Sequence, residues 1–404
     1  MLSLDAAWSH IVQHVLPGQP LLVNLAEGLG CSLAEDIVSN TDSPPFDKSM
    51  MDGFGIQSDA FSRGRRQFRI AGELTAGQSR TAPLGQGDAI WIMTGAPIPP
   101  GVDAVVRIED CRVEGDVVHL NSATVPCGLN IVRRGESMRI GEALLPAGRI
   151  LRAQEIGLLA ELGRAQVIVR RKPRIAVLAT GNELVPVDAT PGSGQIRNTN
   201  EPMLCAQIRQ AGCEAVGLGI ARDNVDSLQA GIQEGLQADI LCLSGGVSAG
   251  KLDLVPQELE RAGVQSVFHK VELRPGKPVW FGVKPGPAPC YVFGLPGNPV
   301  SSQVCFELFV RTAIRRLLGS LKARPDFKRA RLEADFHSSS DRPTFFPAKI
   351  RYDGVTRIVT TTNWQGSFDL RATVDANGLA FFEENRLFQA GEEVPVLALG
   401  LSSS

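Results

Sequence analysis

The 404-residue chain sets 41 lysines and arginines against 43 aspartates and glutamates, and this near-neutral balance excludes the broad basic face of a nucleic-acid-binding protein. Its length requires more than one domain, and no apolar run reaches the ~18 residues of a membrane span. The opening MLSLDAAWSHIVQHVL places Asp5 early, with no basic stretch before an apolar core, so no secretory signal is expected.

Residues 1–16 have the pattern of an amphipathic helix that stops before Pro17-Gly18. From 20 to 170 the texture is short β-like runs between turn residues, such as FRIAGEL, DAIWIM, DAVVRIED and DVVHL. RAQEIGLLAELG then predicts a helix ending on Gly163. The pattern changes at 173. RIAVLAT reads as a buried strand, EPMLCAQIRQAG as a helix, CEAVGLGI as a strand and VDSLQAGIQEGLQ as a helix. ADILCLSGG, SVFHKVEL, PVWFGV and CYVFGL are further strands, DLVPQELERAG is a helix, and PVSSQVCFELFVRTAIRRLLG is one long closing helix. Alternating elements of these lengths predict a three-layer α/β domain with a mainly parallel sheet over 173–319. After KARPDFKR, residues 328–404 return to β texture and read as a small barrel or sandwich. The eight cysteines contain no C-x-x-C pair and no histidine-spaced cluster, which favours buried free thiols of a reducing cytoplasm over a zinc site or a disulfide framework.

In an open α/β sheet, ligands bind beyond the carboxyl ends of the strands. Those ends supply Thr180, Gly181 and Glu183 in ATGNEL and Asp223 in IARDN. They also supply Gly245, Gly246, Ser248, Gly250 and Asp253 in LSGGVSAGKLD, and Pro296, Gly297, Asn298 and Pro299 in GLPGNP. Three carboxylates therefore share one expected rim with two glycine-rich turns. In GLPGNPVSS, Asn298 can cap the closing helix and Pro299 suits its first position, leaving free N–H groups for an anion; an ordinary capped helix fits equally well. A strand through FHKVELRPGKP would put Lys270, Glu272 and Arg274 on one face, with Lys277 after a turn, as a solvated edge or as an oxyanion-binding set. PFDKSMMDGFG and MTGAPIPPGVDAVVRIED are loops in which Asp52 and Thr94 are turn residues or ligand contacts. The five histidines suggest no Ser/His/Asp set. His10 and His14 lie four apart on the first helix with no third ligand nearby, which favours a surface role.

Gly245 to Lys251 spells G-x-x-x-x-G-K, but Leu252 follows where a P-loop needs the serine or threonine whose hydroxyl holds magnesium. The loop runs on to Asp253 instead. That makes a poor ATPase loop and a good metal-assisted phosphate site.

In order, SMMDGFG, MTGAPIP, ATGNEL, SGGVSAGKLD, KVELRPGKP and GLPGNPVS resemble the MoeA-type molybdopterin molybdenumtransferases, relatives of the gephyrin E domain, over essentially the whole chain. The resemblance implies a multidomain α/β plus β fold. Its parts would be an N-terminal helix (1–19) on the α/β domain, a linker domain (20–39 and 141–172), a mainly β inserted domain (40–140), a three-layer MoaB/Mog-like α/β molybdopterin-binding domain (173–319) and a C-terminal β domain (320–404). It also implies insertion of molybdate into adenylylated molybdopterin with release of AMP. The implied cofactor is a divalent cation, usually Mg2+, in a cytoplasmic homodimer where the SMMDGFG loop of one subunit meets the α/β domain of the other. Other implied partners are the adenylyltransferase of the pathway and molybdoenzyme apoproteins, with no nucleic acid and no membrane.

By motif, Asp52, Thr94, Glu183, Asp223, Asp253, Lys270 and Arg274 match catalytic positions, with Glu183, Asp223 and Asp253 as metal ligands. Gly245, Gly246, Ser248, Gly250, Lys277, Pro296, Gly297, Asn298, Pro299 and Ser367 match substrate-binding positions. The chain departs from the pattern at Asn182, where aspartate is expected, and at Met50, where a small residue is. In RPTFFPAK, Pro347 takes the place of a second arginine, with Lys349 as a substitute, and Arg371-Ala372 replace paired serines. These changes leave open a divergent paralogue or a scaffold that binds molybdopterin without efficient insertion. An adenylyltransferase of the same pathway and a small-molecule kinase are the other rivals.

Overall fold

The computed structural model describes residues 1–246 and 254–399, so Ser248, Gly250 and Asp253 lie outside the described residues. The chain divides into two compact units, one of Met1–Glu35, Ala147–Gly157 and Ala165 onward, the other of Asp36–Pro146 and Leu158–Arg164.

The first unit contains a six-stranded sheet in the order Glu214–Ala221, Arg174–Thr180, Ile240–Ser244, Cys290–Leu295, Trp280–Lys284, Gln265–His269. The first four strands are joined in parallel, and Trp280–Lys284 pairs antiparallel with both of its neighbours. The three inner parallel strands, Arg174–Thr180, Ile240–Ser244 and Cys290–Leu295, carry near-continuous apolar runs because both of their faces are covered. Ile175, Val177, Ile240, Cys242, Tyr291 and Phe293 enter one buried cluster; Ala176, Leu178, Leu241, Leu243 and Val292 enter another. Leu204 and Ile208 of the helix Asn200–Gln210 cover the first face, and Leu228 and Leu259 of Val225–Gly235 and Val255–Arg261 cover the second. This strict period of two yields the three layers.

The helix Leu4–His14 starts at Ser3, whose Oγ accepts from the Ala6 N–H at 3.2 Å. Its apolar side, Ala7, Trp8 and Ile11, joins the first cluster, and the Trp8 indole N–H donates to the Leu308 carbonyl at 2.9 Å. The closing run is helical from Pro299 to Leu317, but Phe306–Val310 forms a π turn between two α-helical halves. All five residues of that turn are buried, and the sequence carries no local signal for it.

The expected strand through Leu273 stops early. It ends at His269, because Lys270 adopts a left-handed φ of +69°, outside the β region. The chain continues through isolated bridges, Val271 to Leu2 and Arg274 to Thr344. Val271 and Leu273 are buried while Glu272 and Arg274 are exposed, so the alternation survives without a continuous strand presenting Lys270, Glu272 and Arg274 together. The expectation of buried thiols also needs correction. Six cysteines are buried and unpaired, but Cys111 is half-buried and Cys127 is exposed. Burial pushes the thiols of Cys213 and Cys290 up to about 12.

The C-terminal region closes into a five-stranded barrel, Lys328–Leu332, Thr356–Thr361, Thr344–Asp353, Gly378–Phe382, Glu393–Ala398, which leaves no open edge in that sheet. Pro347 lies opposite Leu379, and its carbonyl accepts from both the N–H and the hydroxyl of Thr362 at 3.1 Å. Asn377 brackets Ile350, accepting from its N–H at 2.6 Å and donating to its carbonyl at 2.8 Å, a purely structural use of the side chain.

A buried carboxylate fixes the start of the helix Ala153–Glu161. Glu155 is 3% exposed and pairs with Arg149 at 2.6 Å and Arg152 at 2.8 Å. Hydrogen bonds from the Arg152 guanidinium, then from Arg149 and the Arg152 N–H, hold this carboxyl far below its ordinary 4.5. Because folding lowers its pKa, the pairing stabilises the native state above pH 4.5 and is lost as pH falls through the native value. Glu155→Gln is expected to cost about 2–3 kcal/mol at pH 7. Urea denaturation across pH should show its deficit against wild type narrowing below pH 4.5; a deficit unchanged by acid would refute the assignment.

The second unit holds its own six-stranded sheet, ordered Ala104–Arg107, Gly53–Ile56, Asp88–Ile92, Gln67–Leu74, Val117–Leu120, Cys111–Glu114. Phe54, Ile56, Phe68, Ala89, Val106 and Val118 form its core.

Candidate functional site

A cavity of about 1180 Å³ opens at the carboxyl ends of the four parallel strands. Each strand end contributes to its wall: Thr180, Gly181 and Glu183, then Asp223, then Gly245 and Gly246, then Pro296, Gly297, Asn298 and Pro299. The chain lays its second parallel strand on one side of Arg174–Thr180 and its third on the other. That reversal of direction opens a crevice between the loops.

Gly245 makes the close approach possible. Its φ is +100°, and a Cβ there would stand 2.6 Å from the Thr180 carbonyl oxygen. Only glycine tolerates both conditions. Its N–H already donates to the Leu295 carbonyl at 3.1 Å, so this amide is committed to the turn.

The GLPGNP turn differs from expectation in one respect. Pro299 occupies the first turn of the helix, but the Asn298 side chain makes no capping bond. Its Nδ2 instead donates to the Ser367 Oγ at 2.9 Å, and the Val300 N–H donates to the Ser367 carbonyl at 3.1 Å. Ser367 thus closes part of the helix end expected to be free, and it ties the turn to the barrel region. Local sequence could not show this, because the partners lie 69 residues apart.

Both described carboxylates line the cavity and are exposed. Asp223 and Asn182 form a reciprocal pair: Asp223 Oδ2 accepts from the Asn182 N–H, and the Asp223 N–H donates to Asn182 Oδ1, each at 3.1 Å. The neutral Asn182 therefore orders the Asp223 loop. The Glu183 carboxylate folds back over Gly181, where a Cβ would lie 2.5 Å from Oε2. Among the described residues no group of three or more histidines, cysteines or carboxylates is placed to hold a metal ion; Asp253, the third expected ligand, lies outside them.

Lys270, Arg274 and Lys277 do not line the cavity. The Arg274 backbone is held against the barrel, its N–H donating to the Pro343 carbonyl at 2.8 Å and its carbonyl accepting from the Phe345 N–H at 2.7 Å. Among the described residues the cation in the cavity wall is Arg197, whose Nε donates to the carbonyls of Val187 and Ala189. Sequence reasoning passed over Arg197 and also Asn200. Asn200 is 8% exposed, donates to the Ser244 Oγ at 2.6 Å and to the Gly297 carbonyl at 2.7 Å, and so cross-links two strand ends. Among the described residues its Oδ1 has no hydrogen-bond partner. The signal lay in RNTNE, where two asparagines flank the start of a helix that has to be buried.

In the second unit, two loops identified separately meet. The N–H and Oγ of Thr94 donate to Asp52 Oδ1 at 2.7 and 2.8 Å, and these bonds, the backbone one first, hold the Asp52 carboxyl below its usual range. Phe46, Met50 and Met51 of the same loop are exposed.

Three family models match the chain in order: the MoeA N-terminal region (domain I and II) over residues 2–163, a probable molybdopterin binding domain over 176–316, and the MoeA C-terminal region (domain IV) over 329–399. A molybdopterin molybdenumtransferase of Staphylococcus aureus is 34% identical over 386 residues, 93% of this chain and 90% of the relative. Two structures of the MoeA protein of Pyrococcus horikoshii align over 98% of this chain, one with a TM-score of 0.81 and 31% identity across 99% of its own length, the other with 0.79 and 28% across 100%. By these full-length matches the chain belongs to the MoeA family of molybdopterin molybdenumtransferases.

Proposed function

We propose that the chain acts in molybdenum cofactor biosynthesis by inserting molybdate into adenylylated molybdopterin, with release of AMP. One observation carries this reading for the chain's own residues: four strand ends deliver two carboxylates and two glycine-rich turns to a single cavity large enough for an extended ligand. The Pro296–Pro299 and Gly245–Gly246 turns, with Ser367 and the undescribed Ser248 and Gly250, bind the molybdopterin portion. Asp52 orients an attacking oxygen, kept anionic by the two bonds from Thr94. Lys270, Arg274 and Lys277 lie outside the cavity wall and would receive only oxyanion groups of the substrate that extend beyond it, Arg274 being suited to bidentate contacts.

A divalent cation fits the donor set, because Glu183 and Asp223 are exposed oxygen ligands facing one cavity. Glu183, Asp223 and Asp253 would hold it, and it would offset the charge of the phosphoanhydride. We further propose a cytoplasmic homodimer, for which the exposed apolar Phe46, Met50 and Met51 beside Asp52 are suited as contact residues.

The test incubates purified protein with adenylylated molybdopterin, molybdate and MgCl2 and measures AMP by chromatography. AMP release should depend on molybdate and stop on chelation. AMP that forms without molybdate, or none at all, would favour the divergent-paralogue or scaffold reading.

A further inference from the structure

We infer that Phe368 is a stacking platform for a flat heteroaromatic ring of the substrate, an assignment that rests on the function proposed above. Phe368 lines the cavity and is 68% exposed. Among the described residues no aromatic ring or cation packs on it. A phenyl this exposed adds nothing to the core, yet the turn carrying it is firmly built. The Asp369 carboxylate accepts from the N–H groups of Gln365 and Ala372 at 3.1 and 3.2 Å, closing the turn from both sides. Ser367, one residue before the ring, is bonded to the cavity-lining Asn298 and to the N–H of Val300. Gly366, at φ +142°, lies under the ring edge, where a Cβ would be 3.3 Å from the Phe368 ring.

The polar groups of the turn thus position it, and the ring is what it offers to the cavity. A phenyl face binds planar heterocycles by stacking, with little demand on their hydrogen-bonding pattern. The substrate has two such groups, the pterin and the adenine.

The experiment titrates full-length wild type, Phe368→Ala and Phe368→Tyr separately with molybdopterin and with AMP, by calorimetry. Phe368→Ala should weaken binding of one of the two probes about tenfold or more, and Phe368→Tyr should restore it. Loss confined to molybdopterin assigns the pterin to the ring; loss confined to AMP assigns the adenine. Turnover of Phe368→Ala should show a raised KM with kcat nearly unchanged. Wild-type affinities for both probes in Phe368→Ala overturn the inference alone, as does a Phe368→Tyr variant as weak as the alanine. A wild type that binds neither probe overturns the proposed function, and this inference with it.

Discussion

Gly53→Ala is expected to destabilise the second unit by about 3 kcal/mol or more. A Cβ at this position would lie 2.0 Å from the Val106 carbonyl oxygen and 3.0 Å from the Arg107 Cα. Both are backbone atoms, so no side-chain rotation can relieve the clash. The strand that carries Gly53 is internal, paired with Ile92 on one side and Arg107 on the other, and its Phe54 is fully buried. Moving it would separate two ladders and open the core. Asp52 would move too, since its carbonyl accepts from the Ile108 N–H at 3.0 Å. Gly55→Ala provides the contrast. Its Cβ would meet a side-chain atom, Val102 Cγ1, at 2.9 Å, and that methyl can shift. Urea midpoints should fall much further for the first variant than for the second, and equal midpoints would refute the argument.

Asp223→Asn should lower the rate of molybdate-dependent AMP release about 100-fold, equivalent to about 2.7 kcal/mol, while leaving the melting temperature within error of wild type. The asparagine keeps an oxygen that can accept from the Asn182 N–H, so the loop stays ordered and only the charge is removed. The site is exposed, which limits any effect on stability. Activity close to wild type would remove Asp223 from the machinery. A large drop in melting temperature would instead make it a structural residue.

Much of the fold was legible because it depends on short periods. RIAVLAT and CYVFGL coincide residue for residue with Arg174–Thr180 and Cys290–Leu295, since the interior of a strand covered on both faces is a continuous apolar run. The rim of the cavity followed from knowing where such strands end. What escaped was non-local or conformational. Lys270 in a left-handed conformation broke a strand that the charge alternation seemed to extend. The Asn298 side chain passed over its own helix for Ser367, a partner from the barrel region. Asn200 gave no apparent reason for burial until Ser244 and Gly297, distant in sequence, were placed against it.

The barrel is not a detachable module. Phe345, Leu379 and Leu397 from its strands belong to the same buried cluster as Val300, Phe309 and Ile314 of the closing helix. A chain cut short before the barrel would strip apolar cover from that helix, the element whose first turn forms one wall of the cavity. Exchange of barrels between relatives would therefore have to rebuild a shared interior as well as a junction.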